Sequence, residues 1–254
     1  MTYCVGMMLD RGLVLMSDTR TNSGVDNIST FRKMCRWEIP GERIISVMTA
    51  GNLATTQAVI SQLEERNKAP SDRHNTLLEA PTMFQVATIV GNLLQDTIAA
   101  RAADNGQTAA AGTFSASMIV AGQIKGMEPR LFLIYPEGNF IEASFDTPFF
   151  QIGETKYGRP ILIRGYDRTM SFEAAVKLMT VSFDSTLKAN LSVGLPLDLL
   201  VLERDRFTPF HERRIEAGDR YFQAVSTGWG EALKNALDAL PDYQMMVPTA
   251  DAAE

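Results

Sequence analysis

The chain has 254 residues, 45% of them hydrophobic, enough for an ordinary buried core in one large domain or two small ones and too many for a disulfide- or metal-stapled scaffold. Twenty-four Lys and Arg against 30 Asp and Glu leave a net charge of −6, the wrong sign for binding nucleic acid by counterion release. Cys4, Cys35, His74 and His211 have neither disulfide-framework nor metal-ligand spacing, so no metal or other cofactor is expected and both cysteines read as reduced, buried thiols.

Residues 4–9 and 13–17 are apolar runs on either side of Asp10-Arg11-Gly12 and predict an opening β-hairpin. Residues 31–38 and 44–49 flank Pro40-Gly41 and predict a second strand pair, so four strands precede any helix. Leu53, Val59, Ile60 and Leu63 recur at helical spacing after Gly51 and predict a helix over 52–67. Phe84, Ala87, Val90, Leu94 and Ile98 predict a second over 82–104, stopped by Asn105-Gly106. Residues 115–123, 130–135 and 140–144 are strand-like, the last two joined across Pro136-Glu137-Gly138-Asn139.

Ser171 can cap a helix running to about 189, with Glu173 in the favourable first turn and Ala175, Leu178, Met179 and Ser182 spaced to face a sheet. Residues 198–203 and 207–211 predict a final hairpin around Asp205-Arg206, and 216–240 carry an amphipathic helical pattern ahead of a loose tail over 241–254. Strands and helices come in blocks instead of alternating, which predicts an α+β protein, two mainly antiparallel sheets between helix layers. No internal repeat or linker divides it, so a single domain over 2–240 is expected. The uncharged runs 44–63 and 105–124 hold too many Ser, Thr, Asn, Gln and Gly to cross a membrane. Asp10 and Arg11 arrive too early for a secretory signal, so a cytoplasmic location is expected.

The chemistry starts at Thr2. It is small enough for Met1 to be removed, which leaves a hydroxyl and a free α-amine on one residue. A hydroxyl needs a nearby base to become a nucleophile, and the amine of a terminal Thr is such a base. That amine has an ordinary pKa of about 7.7 to 8.0, and a neighbouring buried cation would lower it. Three further pieces follow in order: Ser17-Asp18-Thr19-Arg20-Thr21 at a strand end, Phe31-Arg32-Lys33 at a strand start, and Thr49-Ala50-Gly51-Asn52 at a strand-to-helix junction. Each has a bland alternative: a surface ion pair of Asp18 with Arg20, a solvated face at Lys33, a plain helix entry at Gly51.

As a set, these pieces resemble the proteasome β-subunit family, which combines an N-terminal Thr, an Asp ending the second strand, a Lys on the third and a Gly before the first long helix. The matching positions are Thr2, Asp18, Lys33 and Gly51. Thr55-Thr56-Gln57-Ala58 is similar to the family's first-helix sequence, and the resemblance runs to about Leu240. Thr2-Tyr3-Cys4-Val5-Gly6-Met7, the stretch from Thr21 through Asn22 to Asn27, and Asn190-Leu191-Ser192-Val193-Gly194 are similar to its bacterial Anbu branch.

The resemblance implies the four-layer αββα fold of the N-terminal nucleophile hydrolases, no metal, and self-assembly into rings or open helical homo-oligomers. It implies a threonine peptidase acting on peptides or unfolded protein, and leaves open whether an ATPase delivers the substrate. Thr2 would be the nucleophile, Lys33 the cation that tunes it, Asp18 the partner that keeps Lys33 charged, and the Gly51 N–H the oxyanion donor. Thr21, Asn22 and Gly51 would pair with an extended substrate, and Phe31, Cys35, Thr49 and Leu53 would wall a pocket for apolar or small side chains. The family's Gly-Ser-Gly stretch is replaced here by Gly153-Glu154-Thr155, and Asn190 and Ser192 match supporting positions. Alternation along the first strand puts Cys4 on the face of Thr2 as buried filler. Two other functions fit the same residues: an amidase for small peptide-like conjugates, and a ring scaffold that recruits partners. Turnover of denatured protein but not of small amides separates the peptidase from the amidase, and retention of Met1 would support the scaffold.

Overall fold

Strand β1 (Tyr3–Leu9) turns through Asp10 and Arg11 into β2 (Gly12–Asp18), with Cys4 opposite Ser17 and Leu9 opposite Gly12. Both strands are apolar on both faces because each face meets a different core. Tyr3, Val5, Met7, Val14 and Met16 point into one cluster, whereas Cys4, Leu13 and Leu15 point into another. The computed structural model describes residues 2–22, 28–68, 76–104 and 112–245. Met1, residues 23–27, His74, the predicted stop at Asn105-Gly106 and the tail beyond 245 lie outside them.

After β2 come β3 (Arg20–Asn22) and β4 (Ile28–Thr30), a short antiparallel ribbon absent from the sequence expectation. Three residues per strand, all but Ile28 polar, are too few to show an alternation. The third predicted strand begins later than expected, as β5 (Met34–Ile39), leaving Lys33 just ahead of the strand and not on it. β6 (Arg43–Gly51), β7 (Ala116–Ile124), β8 (Arg130–Ile134) and β9 (Phe140–Glu142) complete one five-stranded sheet in the order β5-β6-β7-β8-β9.

The other sheet has the order β10-β1-β2-β11-β12. It contains β10 (Phe149–Gly153), which the sequence reading missed, and β11 (Leu197–Glu203). The hairpin predicted over 198–211 is corrected: its second strand is β12 (His211–Ile215), and residues 207–210 belong to the connection. β12 is an edge strand whose only buried side chain is Ile215, so its charged sequence did not read as a strand. Every strand pair in both sheets is antiparallel.

Helices α1 (Leu53–Lys68) and α2 (Met83–Asp104) cover the β5–β9 sheet, where Val59, Leu63, Val90 and Leu94 meet Ile45, Val47 and Val120. Phe84, placed on the buried stripe by its spacing, is half exposed and packs edge-on against Phe140. The sheet that contains β1 and β2 is covered by α3 (Arg159–Gly165), α4 (Phe172–Ala189) and α5 (Arg220–Asp238). α3 was missed because seven residues hold too little periodicity. Ser171 caps α4 by accepting the Ala174 N–H, as its sequence predicts. α5 starts four residues after the predicted 216 because Asp219 caps it, accepting the Phe222 N–H. Between the two sheets lies a third cluster including Cys4, Leu15, Met48, Ile119 and Leu131. The order is therefore helix, sheet, sheet, helix, the expected four-layer sandwich. No helix among the described residues is long and apolar enough to cross a membrane.

The two sheets approach closely at Gly6. A Cβ there would stand 2.8 Å from Leu131 Cδ1 and 3.1 Å from Ile119 Cγ2 on the facing sheet. Gly6→Val should therefore force these side chains apart and lower unfolding free energy by about 1 to 3 kcal/mol, measured by urea denaturation.

Candidate active site

Asp18 ends β2, the strand held between β1 and β11, and its side chain is fully buried. One oxygen, Oδ1, accepts two bonds: the Tyr3 N–H at 2.9 Å and the Lys33 ammonium at 2.8 Å. Lys33 Nζ also donates to the Arg20 carbonyl at 2.5 Å, and the Lys33 backbone is fixed by the Thr49 N–H bonded to its carbonyl. With Lys33 only 5% exposed, the surface ion pair and solvated face that the sequence allowed do not apply.

The Thr2–Tyr3 peptide is gripped from both sides. Its N–H goes to Asp18, and its carbonyl accepts the Glu154 N–H at 2.7 Å. Gly153, opposite Tyr3 across the β1–β10 pair, has φ +83°, and a Cβ there would lie 1.9 Å from the Thr2 carbonyl oxygen. Only glycine permits this approach. Gly51 is similarly constrained: it ends β6 at φ +114°, and a Cβ would lie 2.5 Å from the Ser115 carbonyl. Asn52 follows and accepts the Thr55 N–H, capping α1.

Thr2, Lys33 and Gly51 line one cleft of about 650 Å³, with Asp18 behind Lys33. Of the residues expected to touch substrate, Thr21, Phe31, Thr49 and Leu53 line the same cleft, as does Cys35. Asn22 continues β3 opposite Ile28. Glu154, Asn190 and Ser192 form a separate group: the Asn190 amide donates to Glu154 Oε2 at 3.0 Å, and its oxygen accepts the Ser192 N–H at 2.9 Å. The Glu154 backbone bond links this group to Thr2.

Burial pushes the Asp18 carboxyl above its ordinary value, against the pull of Lys33 and the Tyr3 and Gly194 backbone N–H groups. Burial also raises the Cys4 thiol, which lies against the Thr49 carbonyl, and pushes Cys35 up to about 11. Both cysteines stay protonated near neutral pH, and Cys35 is half-buried in the cleft wall, not in the core. Sequence reasoning missed Tyr3. Its hydroxyl meets Ser182 Oγ at 2.7 Å and accepts the Gln151 amide at 2.6 Å, anchoring the residue after Thr2 to α4 and β10. Burial pushes that hydroxyl up to about 12. Alternation from Thr2, which points Tyr3 away from the cleft, was the available signal.

A family model described as proteasome subunit matches residues 2–194. The chain belongs to the proteasome subunit family. A proteasome subunit beta of Methanopyrus kandleri is 23% identical over 205 residues, 80% of this chain and 88% of that protein. Solved structures are closer. Anbu from Hyphomicrobium sp. strain MC1 is 48% identical with a TM-score of 0.88, over 96% of this chain and 100% of its own. Anbu from Pseudomonas aeruginosa, solved as a helical assembly, is 43% identical with a TM-score of 0.88, over 99% and 100%.

Because burial raises the Asp18 pKa, the folded chain holds that proton more tightly than the unfolded chain does. The Asp18 contribution to stability therefore falls as pH rises from the ordinary 3.8 through the raised value. The double variant Asp18→Asn with Lys33→Met should lose that pH slope. At pH 7 it should match wild type within about 1 kcal/mol or exceed it, since neutral replacements of buried ion pairs are often neutral or stabilising. Denaturant unfolding across the pH range checks both.

Proposed function

We propose that this chain is a threonine peptidase of the proteasome β-subunit type, working in the cytoplasm as a homo-oligomer, with residues 2–240 as one N-terminal nucleophile hydrolase domain. The observation that carries the reading is the shared Asp18 oxygen, which couples the nucleophile's own peptide to the Lys33 ammonium in the wall of an open cleft. Family membership and the helical assembly of the Pseudomonas aeruginosa relative support self-assembly.

Removal of Met1 frees the Thr2 amine. Lys33, held charged by Asp18, lowers the pKa of that amine and eases loss of the Oγ proton. The amine takes the proton through a water as Oγ attacks the peptide carbonyl, and returns it to the leaving amine when the peptide bond breaks. The Gly51 N–H donates to the oxyanion, a contact of a kind worth about 2.7 to 4 kcal/mol. Water then hydrolyses the ester on Oγ and restores Thr2. Substrate lies extended between Thr21, Asn22 and Gly51. Glu154, Asn190 and Ser192 act as supports, fixing the backbone that grips the Thr2 carbonyl.

An epoxyketone electrophile, which closes a ring onto both the amine and the hydroxyl of a terminal Thr, tests this reading by intact and N-terminal peptide mass. The expected product is a chain lacking Met1 with the adduct on Thr2, absent in Thr2→Ala and in Lys33→Ala, the latter assembling normally. A wild-type chain that retains Met1 and takes no label contradicts the reading.

A further inference from the structure

The charges around the cleft are unevenly spent. Among its described lining residues the charged side chains are Arg32 and Lys33, with no carboxylate. Lys33 is committed to Asp18 and buried. Arg32 is exposed and makes no ion pair among the described residues. The chain as a whole carries −6, so a cationic cleft runs against the average surface.

A neighbouring groove of about 620 Å³ shares Arg32 and Cys35 with the cleft. Its other cations are occupied. Arg214 makes a two-pronged pair with Asp198 at 2.7 and 2.9 Å. Arg36 is held by Glu38 and Glu212, and Arg213 by Asp219. The acidic residues Glu64 and Asp198 line the groove but not the cleft. Arg32 is thus the cation left over where the two depressions meet.

Resting on the threonine-peptidase reading, we propose that Arg32 makes the cleft select peptides carrying an acidic side chain. An extended peptide sends alternate side chains to opposite walls. Phe31, Leu53 and Ile60 offer apolar wall, and the Arg32 guanidinium offers a planar fork suited to both oxygens of an Asp or Glu. A basic side chain there meets the like charge of Arg32.

Matched fluorogenic peptides differing only in Glu, Gln or Lys, scanned across the positions flanking the cleaved bond, test this against wild type, Arg32→Gln and Arg32→Glu. At one position wild type should favour Glu over Gln by about fivefold in kcat/KM, a partly screened ion-pair effect that shrinks in about 0.5 M salt. The preference should vanish in Arg32→Gln and turn toward Lys in Arg32→Glu. Equal rates for Glu and Gln at every position, or a preference that survives in Arg32→Glu, overturns the proposal and leaves the peptidase reading intact. If wild type cleaves none of the peptides, that reading fails instead, and fluorescence anisotropy of the same peptides decides the inference. Tighter binding of the Glu peptide by wild type than by Arg32→Glu supports it, and equal binding overturns it.

Discussion

A single carboxylate oxygen, Asp18 Oδ1, holds the backbone beside Thr2 and the Lys33 ammonium at once. The arrangement needs a strand that is central in its sheet, because only there is the strand end sealed from water. β2, paired on one side with β1 and on the other with β11, meets that need. Burial works against the charge, as the raised Asp18 pKa records, and the ammonium and two backbone N–H groups offset part of that cost. The ion pair is therefore better understood as a device for orientation and field than as a source of stability. Its geometry turns any shift of the first strand into a shift of Thr2 relative to Lys33.

The rest of the sandwich serves to hold that relation. The Thr2 carbonyl is latched to the end of β10 by the Glu154 N–H, through a glycine whose missing side chain makes room. Tyr3, one residue on, projects into the helix layer and is fixed there by Ser182 and Gln151. Thr2 thus sits at a point where the backbone is constrained from the sheet edge, the strand end and the helix layer. Gly51 brings the opposite lip of the cleft into place by ending β6 in a conformation that L side chains rarely adopt. The cleft itself stays open beside this constrained backbone.

Much of this was legible in the sequence, and the exceptions have physical reasons. The long apolar elements, β1, β2, β6, β7 and helices α1, α2 and α4, could be read because their periodicity reports the cores they meet. The elements that escaped are short, at an edge or defined by distant partners: the β3–β4 ribbon, α3, β12, and β10, which exists through its pairing with β1. The positions of Thr2, Asp18, Lys33 and Gly51 came from the order of motifs, and the cleft brings three of them together over the fourth. Gly153 as the latch could not be foreseen, since its role depends on a carbonyl 151 positions earlier in the chain. That Arg32 pairs with no carboxylate among the described residues was equally hidden: four neighbouring arginines look alike in sequence until three of them find carboxylates.

The peptidase reading requires Lys33 to act on the nitrogen of a terminal Thr2, and the pKa of that nitrogen reports whether it does. Competitive acylation with acetic anhydride across pH, read from the mass of the N-terminal peptide, reports it for wild type and for Lys33→Met. The reactive terminal amine should belong to Thr2 and titrate below the ordinary range of about 7.7 to 8.0, returning toward that range in Lys33→Met. Acylation confined to Met1, or a Thr2 amine with the same pKa in both proteins, would contradict that reading.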